Sequence, residues 1–175
     1  WDPDNIFNPN KIVDTPAMNT SLRYEAGQIT REIDTIFDFS KDLGIMRFIE
    51  KCNGSGDCRK SEIIGGTMCP SFMATRDEKN ATRARANTLR EFLTHSKKDN
   101  PFDHKEIYEA MDLCLSCKGC KSECPSSVDI TKLKAEFLQH YYDKNGIPLR
   151  TRSIAYITQL NKIGAISPSF YKVIS

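Results

Sequence analysis

The spacing of Cys114, Cys117, Cys120 and Cys124-Pro125 (C-x2-C-x2-C-x3-C-P) constrains this chain more than any other stretch. Three thiolates at intervals of three let a short loop wrap one face of an iron–sulfur cube. The fourth thiolate, set before proline, is turned away and serves a second cluster. The run therefore requires one more cysteine for its own cluster and a separate partner set for Cys124.

The cysteines elsewhere answer both demands. The chain has seven cysteines in 175 residues, too few and too odd a number for a disulfide scaffold. Their clustering points to thiolate–metal chemistry in a reducing, cytoplasmic compartment. Cys52 and Cys58 bracket a glycine-rich turn, with Ser55 where a full motif would carry its middle cysteine. Cys69-Pro70 follows. Setting the two motifs side by side assigns Cys69, Cys114, Cys117 and Cys120 to one site, and Cys52, Cys58 and Cys124 to the other. Four thiolates suit a [4Fe–4S] cluster. Three suit [3Fe–4S], or an incompletely ligated [4Fe–4S] with Ser55, water or hydroxide at the odd corner, and Ser55 is expected not to ligate strongly at rest. Fewer thiolates should raise the potential of that second site. The competing chemistry is structural zinc in a protein-binding module, but zinc usually gathers two CxxC pairs or CxxC with histidines. His95, His104 and His140 are isolated and read as surface positions.

Bulk properties narrow the classes further. Apolar residues make up 39%, enough for one modest core with appendages. The formal net charge of +2, with no aromatic interleaving, gives no footprint for nucleic acid. Loading both sites would move that charge from about +2 to about −2. No run approaches a membrane span, so any membrane association is expected to be peripheral. The first residue is Trp1, which suggests a piece of a longer polypeptide.

The remaining pattern is helical. Residues 1–31 lack periodicity and read as an extended, irregular segment lying on something else. Residues 33–39 carry strand formers, but the alternation breaks at Ile36 and Phe37. Ser40 is placed to cap a short helix over 42–52, with Leu43, Ile45, Met46 and Ile49 as its apolar face. A second helix spans 82–95, burying Ala86, Leu89, Phe92 and Leu93. Asp103 can cap a helix over 104–115 that delivers Cys114, with Met111, Leu113 and Leu115 walling the four-thiolate site from water. Asp129 caps another, carrying Ile130, Leu133, Phe137, Leu138 and Tyr141, which ends at Gly146 and Pro148. Residues 149–163 repeat the helical period, and 167–175 show no decisive pattern. The expected architecture is all-α, with an extended segment over 1–40, a two-site domain over 41–148 and a helical extension over 149–175.

The crossed Cys-Pro ligands and the Cys52-x5-Cys58 element resemble the alpha-helical ferredoxin domain in the iron–sulfur subunits of succinate dehydrogenase and fumarate reductase, with the motif order reversed. In that family the x5 element belongs to the [3Fe–4S] site. A closer resemblance is to the iron–sulfur domain of large FAD-linked oxidases of the glycolate and D-lactate dehydrogenase group. It is carried by residues 7–12 (FNPNKI), 51–58 (KCNGSGDC) and 66–76 (GTMCPSFMATR) running on to 82–87 (TRARAN). Asn10 departs from the usual glycine of that first segment.

This resemblance implies an electron-transfer domain behind an FAD-binding domain of the same polypeptide. It would pass electrons from flavin, reduced by a 2-hydroxy acid, to a quinone or protein acceptor. The alternative within electron transfer is a free-standing ferredoxin-like subunit docking to a separate dehydrogenase. Arg76 and Arg83 lie in the matching stretch and are the candidates for offsetting cluster charge or docking a partner. Arg85 and Arg90 read equally well as a solvated helix face. No nucleophile–base pair, phosphate loop or carboxylate dyad has usable spacing, so no catalytic residue is expected in this chain.

Overall fold

The structure, a computed structural model, describes residues 2–22, 24 and 27–166, without the side chain of Ile166. The ambiguous stretch over 167–175 and Trp1 lie outside the described residues. Helices and turns make up the described regular structure, and among the described residues there is no strand. The fold is all-α.

The chain divides into Trp1–Thr30 and Arg31–Ser175. The first unit is irregular and almost wholly exposed. Its turns pass through the left-handed region at Asn5, Asn8, Asn10, Asp14 and Ser21, and four of these five are the Asn and Asp residues that tolerate that region best. The Asp2 carboxylate organises the first turn by accepting the backbone N–H groups of Ile6 and Phe7, each at 2.8 Å.

Among its described residues the second unit holds eight α-helices: α1 (Ile45–Ile49), α2 (Pro70–Thr75), α3 (Thr82–His95), α4 (Lys105–Asp112), α5 (Gly119–Glu123), α6 (Ile130–Asn145), α7 (Leu149–Ala155) and α8 (Ile157–Ile166). Helix α3 is the hub and packs against α1, α4 and α6. Leu89 and Leu93, four residues apart on one face, are completely buried, each removal from water stabilising the fold by about 2 kcal/mol. They meet Ile107 and Met111 of α4 and Leu133 and Phe137 of α6 in one core. Helix α6 runs as the periodicity implies. The Asp129 side chain accepts the Lys132 N–H at its start, and Gly146 (φ +81°) releases the chain at its end.

Three expectations are corrected. Ser40 caps no α-helix: the chain turns through left-handed Leu43 (φ +58°) and Gly44 (φ +102°), which isolates Ser40–Asp42 as a 3-10 turn and delays α1 to Ile45. Asp103 does not cap α4, whose N-cap is His104 without a side-chain bond. Instead the Asp103 carboxylate accepts from Asn145 at the far end of α6. Residues 149–163 are interrupted at Tyr156, dividing α7 from α8.

Residues 31–39 do not form a strand, yet they are anchored. The backbone N–H groups of Ile36 and Phe37 donate to the two oxygens of Glu136 at 2.8 and 2.9 Å. Glu136 is completely buried on α6 and also bonds His140 Nε2 at 2.8 Å. Arg31 donates to the carbonyls of Ser96 and Lys98 beyond α3.

Candidate metal centre

Cysteines from two separate motifs meet at one narrow cleft, lined by Cys69, Cys114, Cys117 and Cys120 together with Arg85 and the start of α6. Cys69 sits at the entrance to α2 with φ +58°, and Pro70 occupies the first helical position. Proline fits there because that position needs no N–H donor. Cys114 leaves the end of α4. The loop then passes through left-handed Ser116 and Lys118 on either side of Cys117, a winding that helices and strands do not permit. Cys120 is buried on α5 and Cys117 is exposed.

Two contacts hold the motifs together. The Glu123 carboxylate on α5 accepts the Thr67 N–H at 2.7 Å, the Thr67 hydroxyl at 2.5 Å and the Met68 N–H at 3.1 Å. Those bonds, the Thr67 hydroxyl first, hold its pKa below the usual carboxylate value. Beside it, a Cβ on Gly119 would lie 3.1 Å from the Thr67 carbonyl oxygen and 3.3 Å from Met68 Cα. The glycine lets backbone approach backbone, so Cys69 is carried directly against α5.

The first motif is less enclosed. Cys52 follows α1, and Cys58 is buried in the 3-10 turn Asp57–Arg59. Burial raises the Cys58 pKa, while the Arg83 backbone N–H, 3.4 Å from Cys58 Sγ, works against it. Cys58 also lies within electrostatic reach of Cys69 and Cys52, so the residues sorted into the two sites are neighbours. Cys124 closes α5 and, like Cys52, packs partly buried against the core. Ser55 is exposed, with its N–H bonded to Asn53 Oδ1 at 3.1 Å in a tight side-chain turn.

Burial raises the Cys58 and Cys120 pKa values, and backbone donors offset part of that cost of holding anionic sulfur. The N–H groups of Ile130 and Thr131, at the start of the sixteen-residue α6, lower the Cys120 pKa against the dominant effect of burial. The start of α3 treats Cys58 in the same way through Arg83. Free N–H groups and the positive end of the helix dipole both stabilise negative charge. Among the described residues, no three His, Cys, Asp or Glu side chains converge on a single-ion position. Four cysteines at one cleft, with oriented N–H donors nearby, suit a thiolate-ligated iron–sulfur group.

The charged residues differ from expectation. Arg85 is not on a solvated face: it is 2% exposed, and its Nη1 lies 3.6 Å from Cys69 Sγ. Its spacing from Leu89 and Leu93 put it in phase with the apolar stripe, which is the signal that marks it. Arg83 reaches the first motif through its backbone, while its side chain lies 3.8 Å from Glu78. Arg76 caps α2 in a left-handed conformation and pairs with Glu62. Met111 is buried, but Leu113 and Leu115 are 48% and 71% exposed, so Leu115 borders the cleft without shielding it from water. Of the histidines, His95 is exposed, while His104 and His140 are half-buried and hydrogen-bonded to Ser96 and Glu136.

Among the described residues, no helix is long and apolar enough to cross a membrane. Residues 51–129 match the family model of the 4Fe-4S dicluster domain. The chain is 27% identical to the D-2-hydroxyglutarate dehydrogenase of Pseudomonas putida over 216 aligned positions, covering 99% of this chain and 20% of that protein. It is 27% identical to the enzyme of the same name from Escherichia coli over 211 positions, covering 98% and 20%. For the Haemophilus influenzae enzyme the identity is 25% over 193 positions, covering 89% and 18%. The chain thus spans about a fifth of the length of the curated relatives it matches. No solved structure matches the chain significantly. The stretch that carries all seven cysteines, residues 51–129, is thus the part similar to the 4Fe-4S dicluster domain, within a chain similar over nearly its whole length to D-2-hydroxyglutarate dehydrogenases.

Proposed function

We propose that this chain is the electron-transfer part of an FAD-dependent dehydrogenase acting on a 2-hydroxy acid of the D-2-hydroxyglutarate type. The substrate class follows the names of its relatives. The observation that carries the reading is the convergence of Cys69 with Cys114, Cys117 and Cys120 at one cleft. Residues far apart in sequence supply four soft ligands, the number a [4Fe–4S] cluster needs.

Cys52, Cys58 and Cys124 hold the second cluster, with Ser55 in place of a fourth thiolate. Three thiolates make this a [3Fe–4S] site or a [4Fe–4S] site with one weakly held corner. Iron–sulfur clusters supply one-electron transfer, and the protein fixes their position and environment. Here Ile130 and Thr131 aim N–H groups at Cys120, and Arg83 aims one at Cys58. Electrons enter from FAD in a flavin domain of the same polypeptide and leave to a quinone or protein acceptor. Arg76 and Arg83, close to the first motif, are the cations that would meet that acceptor.

The test uses the full-length protein, purified anaerobically and mixed with D-2-hydroxyglutarate. The proposal expects flavin reduction followed by reduction of the iron–sulfur centres within the same turnover. Reduced flavin beside centres that stay oxidised, or zinc without acid-labile sulfide, overturns it.

A further inference from the structure

Two cations stand beside the four-cysteine cleft with only neutral hydrogen-bond acceptors. Arg85 of α3 is buried and lines the cleft. Its Nε donates to the Ala110 carbonyl at 2.8 Å, and its Nη2 donates to Ser71 Oγ at 3.0 Å. Nη1 is left facing Cys69 Sγ at 3.6 Å. Lys134 of α6 donates its Nζ to the carbonyls of Met111 at 2.8 Å and Cys114 at 2.7 Å. Asp112 offers Lys134 its backbone carbonyl at 3.5 Å, and its carboxylate acts only through space.

This arrangement is costly by itself. A buried cation loses hydration, and carbonyl dipoles return only part of it. Arg85 and Lys134 also repel one another. Moreover, arginine cannot shed its proton to relieve the cost. Both side chains converge on the end of α4, Arg85 beside Cys69 and Lys134 on the backbone of Cys114. A [4Fe–4S] core of roughly +2 held by four thiolates carries about −2, which is the counter-charge this corner lacks.

We propose that Arg85 and Lys134 are the counter-charges of the cluster at the four-cysteine cleft and raise its reduction potential; the inference rests on the iron–sulfur reading above. Reduction adds negative charge, so nearby cations favour the reduced form. The two sites are then tuned in opposite ways. The Cys52–Cys58–Cys124 site lacks a thiolate at Ser55, whereas the four-cysteine site keeps four and is compensated by two cations. The difference in potential between the clusters is smaller than ligand counting alone implies. Lys134 is also a positioning residue, because it ties the end of α4 to the Cys114 backbone.

The test is an EPR-monitored redox titration of the full-length protein and its Arg85→Gln, Arg85→Lys and Lys134→Gln variants, with iron and acid-labile sulfide measured on each. Arg85→Gln and Lys134→Gln should each lower the midpoint potential of the same cluster and leave the other near its wild-type value. Arg85→Lys, which keeps the charge, should return most of the shift. Unchanged potentials in variants with full iron overturn the proposal. Should Arg85→Gln lose its cluster, the Lys134→Gln potential decides alone, and a wild-type value there is again fatal. A wild-type protein lacking iron and sulfide overturns the iron–sulfur reading itself, before any variant is compared.

Discussion

Glu123 accepts the backbone N–H of Thr67 at 2.7 Å across 56 residues of chain. With the close approach of Gly119 to the same backbone, this contact joins the two cysteine motifs without metal. Preorganisation of that kind is what lets ligands from separate motifs act as one set.

Gly119→Ala should therefore damage both sites at once. A methyl group would press on the carbonyl of Thr67 at 3.1 Å, and that backbone is pinned by Glu123. The expected destabilisation is about 1–3 kcal/mol, with iron lost more quickly on chelator challenge. Glu123→Ala should speed iron loss in the same direction by releasing Thr67 and Met68. Wild-type chelation kinetics in both variants would show that the clasp does not hold the sites.

Glu136 anchors the segment before α1. Its carboxylate accepts two backbone N–H groups and bonds His140 while completely buried. Glu136→Ala strands those donors and should cost roughly 3 kcal/mol, measured by denaturant unfolding. Limited proteolysis should then cut within residues 31–39 while α3 and α6 stay intact.

His104 links stability to pH. Burial lowers its pKa from the ordinary 6.5, aided by the positive field of Lys98. Between that lowered value and 6.5, the unfolded chain binds more protons than the folded one. The contribution is thus complete above 6.5 and is lost as pH falls through the window. His104→Gln loses the contact with the Phe92 ring, at 4.7 Å, and should melt below wild type near pH 7.5, with the gap narrowing near pH 5.5. A gap that is constant or widens with acid contradicts this account.

Ser55→Cys tests the inequality of the two sites. Supplying the absent thiolate should raise the iron content by about one per chain and lower the potential of that site, since an added thiolate adds negative charge. Native mass spectrometry and iron analysis read the first effect, and a redox titration reads the second.

Much of this was legible in the amino-acid order. Helices α3 and α6 follow from apolar spacing, with Asp129 and Gly146 marking the ends of α6, because local capping and periodicity act over a few residues. The meeting of Cys69 with the second motif was legible from cysteine spacing. The start of α1 was not, since left-handed Leu43 breaks the rule that only glycine and small polar residues take that conformation freely. Glu136 was missed, and the sequence leaves Arg85 open between a solvated helix face and a place beside a cluster. Each shares the phase of its helix's apolar stripe, Arg85 with Leu89 and Leu93 and Glu136 with Leu133 and Phe137. Their partners are distant backbone and sulfur atoms, set by tertiary packing rather than by local sequence.

The most direct test of the account is low-temperature EPR of anaerobically purified full-length protein, recorded as isolated and after stepwise reduction. It predicts two centres: one gives the signal of an oxidised [3Fe–4S] cluster as isolated, or, with a fourth iron, is visible only on reduction, and the other is visible only on reduction, with about seven to eight iron per chain. A protein silent in both states, with zinc bound and no acid-labile sulfide, would contradict it.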